Sequence, residues 1–77
     1  MSAFTSEQKA VIFAALDIEA QRLVRKIPTI KPHELSTWMY AEAGKAVSQY
    51  AHTGANRNLL TFHFGMLVGQ HLSAEII

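Results

Sequence analysis

Four histidines, His33, His52, His63 and His71, are the side chains best suited to chemistry, and cysteine is absent. A bound metal would have to be held by imidazole and carboxylate, without thiolate. His63 and His71 are eight residues apart, which on a helix puts them roughly 80° apart around the axis and two turns apart along it. That is poor geometry for one ion. His33-Glu34 begins like the paired-histidine zinc helix of metalloproteases, but Thr37 stands where the second histidine is required. His71 and Glu75 are four apart and share a helical face, on a terminal turn that is a poor scaffold for a metal. Solvated histidines, or core histidines with satisfied rings, are the simpler reading. No metal and no other cofactor is expected.

Ser48 and His52 are also four apart, so a hydroxyl and an imidazole can meet on one helical face. A working nucleophile needs a third group to orient the imidazole. Glu42 lies too far back to do so. No catalytic residue is assigned, and an enzyme is the least expected class.

Charge excludes little but weakens much. Seven Lys and Arg against six Asp and Glu leave a net charge of +1, and charged residues make up 17% of the chain. The usual share is about 25%. One basic cluster stands out: Arg22, Arg25 and Lys26, with Lys31 just beyond. It is a candidate contact for nucleic acid or a small anion, although cations in the last turn of a helix are expected for dipole reasons alone. The stretch from Gly54 to Phe64 has the outline of a helix-turn-helix. A reading helix must present polar side chains to the groove, and this one is oily. Nucleic-acid binding is therefore an alternative and not the favoured reading. A second alternative places a small anionic ligand between subunits, where arginines and aromatics of two copies could meet.

These residues must be positioned by helices. Thr5 with Gln8 three residues later predicts a capping box opening a helix over about 6–27, which Pro28 stops. Pro32 suits the first position of a second helix over about 32–51, with Glu34 in its first turn. Gly54 is expected to end that helix as a left-handed cap. Asn56 or Asn58 then caps a third helix over about 57–74. With no alternating strand pattern, the fold class is all-α: a compact three-helix bundle forming one domain over 1–77.

Helical projection separates the faces. The first helix buries Ile12, Phe13, Leu16, Ala20, Leu23, Val24 and Ile27. A second stripe of Val11, Ala14, Ala15 and Ile18, flanked by Arg22 and Arg25, lies opposite. The second helix has an apolar arc from Leu35, Met39 and Tyr40 through Ala43, Gly44, Ala46 and Val47 to Tyr50 and Ala51. Trp38 falls outside it, suited to a binding hot spot unless Ile27 and Ile30 fold over it. The third helix is apolar nearly all round, with His63 and Gln70 as its polar sector. Gly65 and Gly69 form a small-xxx-small pair, and because glycine costs about 1 kcal/mol relative to alanine inside a helix, something is expected to pack there.

Apolar residues reach 49% in only 77 residues, more than one copy of so small a domain readily hides. The chain is therefore expected to form a homodimer or larger symmetric assembly. Val11, Ala14, Ile18, Arg22, Trp38, Phe62, Gly65 and Gly69 are the candidate subunit or partner contacts. The expected function is a non-catalytic interaction module that binds or modulates another macromolecule, most simply a protein. The apolar run 10–16 has only Lys9 as a preceding cation, unlike a signal segment. The run 59–72 is interrupted by His63, Gln70 and His71 and is too short for a bilayer. No membrane partner is expected, and a cytoplasmic location is the default.

Overall fold

The computed structural model describes the backbone of residues 4–76 and the side chains of residues 4–74. Glu75, and with it the His71–Glu75 pair, therefore lies outside the described side chains. Three α-helices follow in order: α1 (Ser6–Lys26), α2 (Leu35–Ser48) and α3 (Gly54–Ile76), with two short 3-10 turns, Ile27–Thr29 and Pro32–Glu34, joining the first two. The described residues contain no strand.

α1 starts where its capping chemistry says it must. The Gln8 backbone N–H donates to Thr5 Oγ1 at 3.1 Å, and the Thr5 N–H donates to Gln8 Oε1 at 2.9 Å. Two helix-end donors are thereby satisfied reciprocally. At the other end the chain tightens around Pro28, which has no N–H to continue the helix. Thr29 Oγ1 donates to the Lys26 carbonyl at 2.6 Å, taking up one of the acceptors that a helix end leaves open.

The entry to α2 and the joint that follows it both differ from expectation. α2 begins at Leu35, three residues after Pro32, because a single 3-10 turn intervenes; Lys31, held extended before the proline, sets the entry. α2 then ends at Ser48 and not at Ala51, with the Tyr50 and Ala51 N–H groups both turned onto the Val47 carbonyl. Gly54 does adopt a left-handed backbone, φ 79°, but as the first residue of α3 and not as the terminator of α2. Only glycine enters that region without strain. Asn56 and Asn58 consequently lie inside α3 and are not its caps.

All three helices meet in one core. Leu16 of α1, Val47 of α2, and Leu60 and Phe64 of α3 are its fully covered side chains, surrounded by Ile12, Ala20, Leu23, Val24, Ala46 and Val68. The α1 stripe matches the projection, with Phe13 and Ile27 packed against it. Fully burying a side chain of the Leu or Phe class stabilises by about 1.5–3 kcal/mol. Two assignments need correction. Tyr40, placed on the α2 arc, turns outward and is 79% exposed, since the arc is wider than the contact the two neighbours can make. His63 is not in a solvent-facing polar sector: its ring stacks on Phe13 of α1 with centroids 3.8 Å apart. A flat imidazole can cover an aromatic face while its nitrogens keep access to water. Gln70 alone of that pair is exposed.

Candidate interaction surface

α3 buries one face and leaves the other bare. Leu60, Phe64 and Val68 point inward at four-residue spacing. On the opposite side the sequence places Ala55, Asn58, Leu59, Phe62, Gly65, Met66, Gly69, Gln70 and Ser73, all exposed. Phe62 is 70% exposed and Met66 46%. None of these residues carries a charge. Arg57, the only Lys, Arg, Asp or Glu among the described α3 side chains, is half-buried on the other side. A solvated helix face normally shows charged side chains.

The two glycines sharpen this. A Cβ placed on Gly65 or on Gly69 meets nothing within 4 Å. The sequence predicts a close neighbour at these positions, and among the described residues none comes within 4 Å of such a Cβ. The helical cost of two glycines, about 1 kcal/mol each, is not offset by packing inside this fold.

Beside this face runs an apolar groove between α2 and α3, of about 570 Å³. Leu35, Met39, Tyr40 and Ala43 line one side, and Gly65 and Val68 the other. Gly65 belongs to both features, so groove and outer face are continuous. On α1, Val11 and Ile18 are 70% and 53% exposed, and Ala14 lies exposed between them. Ala15, the remaining residue of that stripe, is half-buried.

The remaining candidates are placed as follows. Arg22, Arg25, Lys26 and Lys31 are exposed. Arg22 Nη1 pairs with Glu19 at 3.1 Å, an exposed bond that contributes little to stability. Arg22 and Lys26 share a small pocket of about 160 Å³ with Glu19, Glu42 and Trp38. An anion there would face two carboxylates, so the cluster is not a concentrated positive field. Trp38 is half-buried and packs on the core, with one flank in this pocket.

Ser48 is committed elsewhere. Its hydroxyl accepts a 2.8 Å hydrogen bond from Arg57 Nη1, which also donates to the Ala51 carbonyl at 3.1 Å. His52 is exposed. His33 and Glu34 approach at 3.8 Å on the surface. Among the described residues, no three His, Cys, Asp or Glu side chains converge as a metal site, and no helix is long and apolar enough to cross a membrane.

Two polar contacts escaped the sequence reading. Arg57 ties the start of α3 to the end of α2, a role that its position inside an oily helix could have suggested. His71 Nε2 lies 2.6 Å from Asp17 Oδ1, joining α3 to α1, while Gln21 Nε2 donates to Asp17 Oδ2 at 3.0 Å. The His71 hydrogen bond, more than any other contact, holds the Asp17 carboxyl below its ordinary 3.8; partial burial opposes it, and Gln21 and the charges of His71 and His63 reinforce it.

Phe62, Gly65 and Gly69 thus share one exposed face, Val11, Ala14 and Ile18 a second, and Arg22 and Trp38 a pocket apart from both. No protein-family model matches the chain, and no curated protein or solved structure is significantly similar to it.

Proposed function

We propose that this chain is a non-catalytic helical interaction module that self-associates and binds, and thereby modulates, another protein, acting in the cytoplasm. The observation that supports this reading is the uncharged outer face of α3, continuous with the apolar groove between α2 and α3. Contiguous exposed apolar surface of this kind marks contact sites, whereas scattered single side chains do not. A groove between two helices, lined by Met39, Ala43 and Val68, suits the apolar side of a partner's amphipathic helix.

A photoreactive benzoylphenylalanine at position 40, on the groove rim, tests the protein-binding part in cells. Discrete adducts that vanish when Ala43 is replaced by Lys support it, provided the same probe at the exposed position 31 yields none. Absence of adducts from position 40, or adducts indifferent to Ala43→Lys, would reject it.

A further inference from the structure

We infer that the outer face of α3 is covered by the same face of a second copy of this chain, antiparallel about a two-fold axis level with the Gly65–Met66 bond. This rests on the interaction-module reading and specifies the occupant of one of its surfaces. Three observations converge on a second copy.

The first is self-complementarity of size. In an isologous pair each side chain is opposed by one equally far from the axis on the other side. With the axis at Gly65–Met66, Phe62 comes level with the partner's Gly69, and Met66 with the partner's Gly65. Phe62, the bulkiest side chain of the face and 70% exposed, lies within about 20° of Gly69 around the helix, so it meets a glycine at which an added Cβ would find nothing within 4 Å. Asn58 comes level with the partner's Ser73, and both carry polar groups able to bond one another. A parallel pairing would instead set Phe62 against Phe62 and glycine against glycine.

The second is charge. A face without Asp, Glu, Lys or Arg neither repels its own copy nor selects an oppositely charged partner. The third is extent. The exposed residues of the face run from Ala55 to Ser73 along a helix of 23 residues, a continuous contact line of about 27 Å at 1.5 Å per residue.

Sedimentation equilibrium of the full chain, up to about 100 µM, reads the outcome. The wild type is expected to approach twice its 8.6 kDa mass. Phe62→Asp, on a side chain outside the core, should remain helical by circular dichroism and sediment as the monomer. Gly69→Phe should weaken pairing at least tenfold by setting phenylalanine against phenylalanine. The exchanged variant, Phe62→Ala with Gly69→Phe, should recover most of the loss, because only an antiparallel pair brings positions 62 and 69 together. Should Phe62→Asp fail to fold, Phe62→Ser substitutes for it in the same experiment. A wild type that stays at the monomer mass overturns the inference, as does a dimer indifferent to Phe62 or an exchange that restores nothing. None of these results touches adducts from position 40, so the protein-binding part of the function stands or falls separately.

Discussion

Replacing Arg57 with methionine should cost about 1–3 kcal/mol of folding stability. Methionine keeps most of the side chain's apolar stem, so the change isolates the guanidinium. Two hydrogen bonds disappear: one to Ser48 Oγ at 2.8 Å and one to the Ala51 carbonyl at 3.1 Å. A bond from a charged donor contributes about 1.5–3 kcal/mol, but Ser48 and Ala51 are only half-buried and water can replace part of what is lost. The total therefore falls below the simple sum of two such bonds. Urea denaturation followed by helical ellipticity measures it, with the dependence on denaturant unchanged. In a domain of this size each kcal/mol lowers the melting temperature by about 4–8 °C. Arg57→Lys should recover part of the loss, since an ammonium can reach one acceptor but lacks the planar fork. A loss below about 0.5 kcal/mol, within the ordinary range for surface substitutions, would show that Arg57 does not tie α3 to the end of α2.

Other positions yield sharper signs. Gly44→Ala should stabilise by up to about 1 kcal/mol through helix propensity, because the new Cβ would sit 3.8 Å from Arg57 Nη2, an ordinary contact; a lower melting temperature would count against the placement of Arg57. Leu16→Ala, at a side chain with no exposed surface, should cost about 2.7–5 kcal/mol, and a loss under about 1.5 kcal/mol in the same urea titration would mean the core is looser than described. Because folding lowers the Asp17 carboxyl below 3.8, the unfolded chain binds that proton more tightly. Its contribution is complete above 3.8 and is lost as pH falls through the lowered value. His71→Phe removes the main cause, so the fall in stability with acid should become shallower, and acid titrations of equal slope for variant and wild type would contradict the assignment.

How far the sequence reaches depends on whether a feature is local. The α1 core stripe, the Thr5–Gln8 capping box and the stop at Pro28 are all set within a few residues, and each is found as its spacing predicts, whereas Pro32 opens a 3-10 turn and not α2 itself. The second joint is different. Gly54 is recognisable as a left-handed residue, but it opens α3 because α2 has already stopped at Ser48, where the Tyr50 and Ala51 N–H groups turn onto the Val47 carbonyl. His63 shows the same limit. A histidine in an apolar helix looks like the polar sector, and only the approach of Phe13 from α1 turns it into a packing residue. The His71–Asp17 bond spans 54 positions, beyond any periodicity. The excess apolar character of α3 was plain from its residues; which side remains bare was decided by where α1 and α2 settle.

The claim that the outer face of α3 is a contact surface can be measured without any mutation. Hydroxyl-radical footprinting of the intact protein across a dilution series reports side-chain exposure residue by residue. Phe62 and Met66 should become several-fold less reactive as concentration rises, while Val11 and Ile18, on the α1 stripe, hold constant. Equal reactivity of Phe62 and Met66 at every concentration, in proportion to their exposure in a single copy, would contradict it.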